Sequence, residues 1–201
     1  MRTATVEYKV YTFAELSESD KEKVRQWYLE GQEPDIFTED CEMYLNKNFP
    51  NSELKVQYSL GYCQGDGLNI FGTLDLSDMF RQIQEKKPEL FTEKERKALG
   101  WYLKEYGTDV KLKENWSCSY CIADSYDFTE SMINDMEYDC IRDINYSALE
   151  KFNEAARDIL GTLCAEWEKC GYEYFYEVDD DTLADWCEAN EYEFTENGEI
   201  F

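Results

Sequence analysis

The sequence predicts an α+β fold: an antiparallel sheet with packed helices in residues 1–121, and a mostly helical, acidic part in 122–201 that closes on a terminal hairpin. Three observations carry this. Leu54, Val56, Tyr58, Leu60 and Tyr62 alternate with other residues, and the alternation resumes at Leu68, Ile70, Gly72 and Leu74 after Cys63-Gln-Gly-Asp-Gly67. Two period-2 runs about a glycine-rich turn make a β-hairpin, because those glycines allow the positive φ that tight turns need. Leu149, Phe152, Ala156, Ile159, Leu160, Leu163 and Trp167 recur at i, i+3, i+4 spacing, which gives a long helix an apolar stripe. No repeat, low-complexity tract or Pro/Gly-rich linker interrupts the chain, so 1–201 reads as one domain, with 1–121 and 122–201 as its sub-lobes.

The elements follow in order. Val6, Tyr8 and Val10 alternate with Glu7 and Lys9, the pattern of a short strand. Phe13 to Glu30 places Leu16, Val24, Trp27 and Tyr28 on one helical face, capped by Ser17 or Ser19 and stopped by Gly31. A second helix from Glu39 to Asn48 ends at Pro50, and the hairpin comes next. Ser77 is the expected cap of a helix bearing Met79, Phe80 and Ile83. Thr92-Glu-Lys-Glu95 is a capping box for a helix with Leu99, Tyr102, Leu103 and Tyr106, stopped by Gly107. Val110–Leu112 and Tyr120–Ile122 read as two more strands. A helix from Glu130 to Ile144 carries the stripe Ile133, Met136, Cys140 and Ile144. Ser147-Ala-Leu-Glu150 is a second capping box, opening the long helix. A last helix holds Leu183, Trp186 and Cys187 behind Asp179 to Asp181, and Tyr192 to Phe201 turns back at Asn197-Gly198, a type I′ signature.

The 201 residues include 45 Asp+Glu, 20 Lys+Arg and no histidine, a formal charge of −25. At 43% hydrophobic residues the chain is too apolar for a disordered acidic tail, so the charge belongs to a folded surface. Direct binding to nucleic acid is excluded, because such a surface cannot neutralise phosphates, and attraction to an anionic membrane fails for the same reason. Mechanisms that need an imidazole are excluded outright. No calcium-loop, P-loop or dinucleotide pattern occurs, and with 45 carboxylates a close pair carries no signal. A non-enzymatic protein without catalytic residues, cofactor or metal is the expectation.

The charge is uneven. Residues 1–121 hold 22 acids and 16 bases, whereas 122–201 hold 23 acids and 4 bases. Asp135, Glu137, Asp139 and Asp143 crowd one helix, and Asp179, Asp180, Asp181, Asp185 and Glu188, with Glu191 and Glu193, form the densest cluster. Like charges at helical spacing destabilise by a few tenths of a kcal/mol per pair. Two readings explain why they are kept: a solvating surface, or a face aimed at a basic partner. Duplex DNA places a charge every ~1.7 Å, and a row of helix carboxylates offers a comparable line of acceptors. Tyr172, Tyr174 and Tyr176 beside these acids suit stacking on arginine.

Eight cysteines in an unsecreted chain read as reduced core thiols. Cys118-Ser-Tyr-Cys121 is the one C-x-x-C and lacks a second pair for zinc. The opening Met1–Lys9 has no apolar signal core and no run spans a bilayer, so a cytoplasmic protein is expected.

Tyr58-Ser-Leu-Gly-Tyr-Cys-Gln-Gly-Asp-Gly67, taken with Tyr11-Thr-Phe-Ala-Glu-Leu-Ser17 and Tyr192-Glu-Phe-Thr-Glu-Asn-Gly198, resembles a family of small acidic proteins of phages and prophages over nearly the whole chain. The resemblance implies a mobile-element origin and carries no catalytic residues. In size and charge the chain is also similar to anti-CRISPR proteins that present themselves as DNA to the nuclease they block. Gln64 and Asp66 are either ordinary turn residues or contact groups on a rigid loop. The expected function is inhibition of a host defence nuclease, in the host bacterial cell, by a monomer or homodimer that binds the basic surface of an RNA-guided nuclease. An antitoxin-like or regulatory protein that binds a basic partner of the same element is the alternative.

Overall fold

The computed structural model describes residues 7–115, 121–139 and 144–201, and gives only the backbone course of Asp124 and of 135–139. The fold is α+β. Its elements are a 3₁₀ turn Phe13–Glu15, α1 (Glu18–Glu30), α2 (Pro34–Asn48), β1 (Glu53–Ser59), β2 (Gly67–Asp75), α3 (Leu76–Lys86), α4 (Glu93–Tyr106), β3 (Asp109–Leu112), a 3₁₀ turn Ala123–Ser125, α5 (Glu130–Asp139), α6 (Tyr146–Tyr176) and α7 (Asp180–Ala189). Contacts divide the chain into two compact units. One comprises Asp35–Lys169; the other joins Met1–Pro34 to Cys170–Phe201. The boundary that the charge suggests at 121 is not where the contacts part.

In the larger unit the hairpin forms, but its first strand is shorter than the alternation predicts: β1 stops at Ser59, Leu60 lies past its end, and Tyr62 is exposed at φ +55° and does not share the buried face. β1 and β2 pair antiparallel with Leu54 opposite Gly72, Val56 opposite Ile70 and Tyr58 opposite Leu68, and β3 adds to the other edge of β2 with Val110 opposite Leu74. Leu54, Val56, Leu68, Ile70 and Leu74 are buried. Gly72 has φ +117°, and a Cβ there would lie 2.1 Å from the Glu53 carbonyl oxygen, so only glycine fits this pairing. β2 runs straight into α3, which moves the cap from Ser77 to Asp75: its Oδ1 accepts from the backbone N–H groups of Ser77 (2.6 Å) and Asp78 (3.3 Å). Asp78, only 1% exposed, accepts from Asn51 N–H at 2.7 Å and Ser52 Oγ at 3.0 Å, with Arg81 Nη2 at 3.4 Å.

The Thr92–Glu95 capping box is present: Glu95 accepts from Thr92 N–H at 2.8 Å, and Thr92 Oγ1 accepts from Glu95 N–H at 3.3 Å. The second predicted box is not the cap that forms. Helix α6 starts one residue before Ser147, and Asn145 Oδ1 accepts from Ala148 N–H at 2.8 Å. The stripe on α6 is buried from Ala148 to Cys164. Helix α2 begins earlier than expected, at Pro34, a residue suited to a first helical position because its missing N–H would have no partner there. Helix α5 is described to Asp139. Cys140 and Tyr120 lie outside the described residues, and Cys121 and Ile122 are not in a strand.

The smaller unit has its own core of Phe13, Leu16, Val24, Leu183, Cys187 and Phe194. Glu7–Val10 form no strand, and Val6 lies outside the described residues. The pairing falls one residue later: Tyr11 and Phe194 exchange two backbone hydrogen bonds of 2.9 Å. The terminal turn forms, but not as type I′. Gly198 N–H donates to Thr195 C=O and Thr195 N–H to Glu199 C=O, and positive φ is confined to Gly198, at +78°. This is a three-residue turn with a glycine bulge, which leaves Asn197 in an ordinary conformation. A Cβ at Gly198 would lie 2.9 Å from the carbonyl oxygen of Asp20 on α1.

Candidate functional site

The smaller unit holds the densest charge. Residues 170–201 contain 11 Asp+Glu and no Lys or Arg. Helix α7 organises them. Its N-cap, Asp179, accepts from Thr182 N–H at 2.9 Å and from Thr182 Oγ1 at 2.6 Å, and these bonds hold its carboxyl below the usual range. Leu183 and Cys187, four apart, face the core. Asp181, Asp185 and Glu188 stand at i, i+4 and i+7, within about 60° of arc on the opposite side and about 10 Å along the axis. All three are exposed. The apolar stripe therefore fixes the acidic one: burial of one face sets where the other points.

Adjacent acids have different fates. Asp180 lies between the two faces and meets α1, where Arg25 Nε reaches its Oδ1 at 2.7 Å and Arg25 Nη2 the same oxygen at 2.6 Å. Lys21 Nζ is 3.9 Å from Oδ2. Asp180, and after it Glu22, keep Arg25 more firmly protonated than usual. Asp179 caps and Asp180 pairs, so the cluster's first two carboxylates serve the fold.

Past α7 the chain turns sharply. Glu191, at φ +57°, occupies the left-handed position that glycine usually takes at a helix end. Glu191 N–H donates to Glu188 C=O at 3.1 Å and Tyr192 N–H to Cys187 C=O at 2.9 Å. That turn lays Tyr192 on Trp186, with ring centroids 5.1 Å apart and planes 22° apart, while Trp27 meets both rings at 5.7 Å and 5.2 Å. A groove of about 710 Å³ results. Phe13, Ala184, Cys187 and Tyr192 wall it, and Glu188, Glu191 and Glu193 rim it. Those three acids belong to the cluster expected from the sequence, and Tyr192 stands between two of them, but nothing local marks Phe13 as their neighbour. The spacing of Trp186 and Tyr192 about a helix end is the signal that was available. Of the tyrosines expected beside the acids, Tyr176 is exposed, and Tyr172 and Tyr174 are half-buried.

The other sequence-derived residues lie in the larger unit. Asp135, Glu137 and Asp139 are on α5, and Asp143 lies outside the described residues. In the 63–67 loop the Asp66 carboxylate is engaged internally. It accepts from Gly61 N–H at 2.7 Å, Cys63 N–H at 2.8 Å and Ser59 Oγ at 3.0 Å, and it pushes the neighbouring Cys63 thiol up. Gln64 is exposed on that loop. The turn reading of Asp66 thus has a direct physical basis.

Among the described residues no group of three or more Cys, Asp or Glu is placed to hold a metal ion, and Cys118 lies outside them. Among the described residues no helix is long and apolar enough to cross a membrane. Comparison of the chain with family models, curated proteins and solved structures finds no match.

Proposed function

We propose that this chain is a phage-derived, non-enzymatic inhibitor of a host defence nuclease, anti-CRISPR-like in action, which offers a folded row of carboxylates to a basic nucleic-acid groove. One observation supports this above the rest: Asp181, Asp185 and Glu188 form an exposed stripe on a helix whose opposite face is locked into a core. Their axial steps of about 6 Å and 4.5 Å compare with the ~3.4 Å rise per nucleotide of one DNA strand, so successive carboxylates approximate phosphates one to two steps apart. A carboxylate row held rigidly binds arginines without first losing the entropy of ordering a tail.

The favoured target is an RNA-guided nuclease, whose PAM-reading arginines sit in a channel built for polyanions. Affinity purification from a host lysate at low salt, with and without added duplex DNA, tests this. The expected result is capture of a nuclease that duplex DNA releases and that ~1 M NaCl also releases, since screening at that salt shortens the reach of exposed charges to about 3 Å. Retention unaffected by duplex DNA contradicts the nucleic-acid decoy. A small basic protein captured in the nuclease's place would favour the antitoxin-like alternative.

A further inference from the structure

The exposed stripe on α7 leaves the neighbouring groove unused, although the groove combines three features of an arginine receptor. It is concave, with a volume of about 710 Å³, inside the range of small-ligand sites. Its floor lies over the core residues Phe13 and Cys187, and its accessible wall is mixed, with Ala14, Ala184 and the Tyr192 ring beside Thr12; Tyr192 is stiffened by its stack on Trp186. Its rim is Glu188, Glu191 and Glu193, and none of these three side chains is in an ion pair among the described residues. A carboxylate rim over a partly apolar wall is complementary to a side chain with a long aliphatic stem and a planar cationic head. Arginine is that side chain: the stem covers the wall, and the guanidinium reaches acceptors in the plane and the tyrosine ring from its face.

We infer that this groove receives an arginine side chain, with its flanking backbone, from the basic partner protein. The inference rests on the decoy reading above and deepens it. The α7 stripe supplies long-range attraction, and the groove supplies a fixed point of docking that sets register. Short-range packing against Tyr192 and Ala184 is then the part of binding that salt screens least.

The test uses the full chain and three probes: the capped peptide acetyl-Gly-Arg-Leu-Arg-amide, the same peptide with citrulline for arginine, and spermidine. Binding is read by NMR at the Trp186 indole and by calorimetry. Two groove-filling variants, Ala14→Trp at the exposed lip and Ala184→Leu on the wall, are compared with E188Q/E191Q/E193Q, and circular dichroism selects those that fold. The expected result is that the arginine peptide binds, the citrulline peptide does not, and both kinds of folded variant weaken binding at least tenfold. If filling the groove changes nothing while E188Q/E191Q/E193Q abolishes binding, the arginine pocket is overturned and the acidic-face reading stands. Spermidine matching the arginine peptide with the same variant pattern also overturns it, because charge alone would then suffice. If neither kind of variant changes binding, the arginine pocket is overturned, because the peptide then docks elsewhere. The decoy reading is judged separately in D181N/D185N/E188N, where loss of peptide binding supports it and persistence counts against it.

Discussion

Arg25 holds one oxygen of Asp180 in its guanidinium fork, with Oδ1 lying 2.7 Å from Nε and 2.6 Å from Nη2. That pair joins α1 to the first turn of α7 and divides the acidic cluster into carboxylates that serve the fold and carboxylates that face outward. Reversal of Asp181, Asp185 and Glu188 to Lys should therefore abolish capture of the basic partner while the circular dichroism spectrum stays that of the native chain. Arg25→Ala should leave the stripe intact and lower stability by about 0.5 kcal/mol, the scale of a partly exposed ion pair. Equal capture by the triple reversal would show the stripe to be only a solvated face.

Glu191 occupies a left-handed backbone position that costs a non-glycine residue about 1 kcal/mol. Glu191→Gly should raise stability by about that amount in urea unfolding and at the same time weaken arginine-peptide binding. Stability gained with no loss of binding would mean that the Glu191 side chain contributes nothing to the groove.

Gly72→Ala places a Cβ against the Glu53 carbonyl oxygen at 2.1 Å, at a φ that alanine avoids. Either the β1–β2 register moves or the strands separate, and a loss of about 3 kcal/mol is expected in chemical denaturation. A loss under about 0.5 kcal/mol would contradict the register of the hairpin.

Glu95 is held below the usual carboxylate range, first by Thr92 N–H and then by Lys151, whose Nζ lies 3.0 Å from Oε1. A carboxyl with a lowered folded pKa adds stability above its unfolded pKa of about 4.3, and that stability disappears as pH falls through the folded value. The native chain should therefore exceed Glu95→Gln in stability by about 1 kcal/mol at pH 7, and the gap should shrink as pH falls below about 4.3 and close once it passes the lowered folded value. A gap that persists or widens in acid would contradict the assignment.

The hairpin and the Thr92–Glu95 box are legible in the sequence because each depends on residues a few positions apart. The outline of α7 is legible too, since Asp179, Leu183 and Cys187 define its cap and its buried face. The division of labour among the acids is not. Asp180 and Asp181 are identical neighbours, and one is neutralised because a rotation of about 100° aims it at Arg25, 155 residues earlier in the chain. The same kind of distant partner explains the edge pairing: Tyr11 meets Phe194, and no local alternation encodes that. The groove arises where a helix end, a 3₁₀ turn and an aromatic stack converge, and each of these is unremarkable alone.

Displacement of DNA from the partner decides whether the carboxylate row stands in for phosphates. A fluorescent PAM-containing duplex bound to a guide-loaded RNA-guided nuclease is titrated with the native chain and with D181N/D185N/E188N, and anisotropy follows release of the duplex. The native chain is expected to displace the duplex competitively, and the variant to need at least tenfold more protein while melting no lower than the native chain. Simultaneous binding of chain and duplex, or equal displacement by the variant, would contradict the decoy reading.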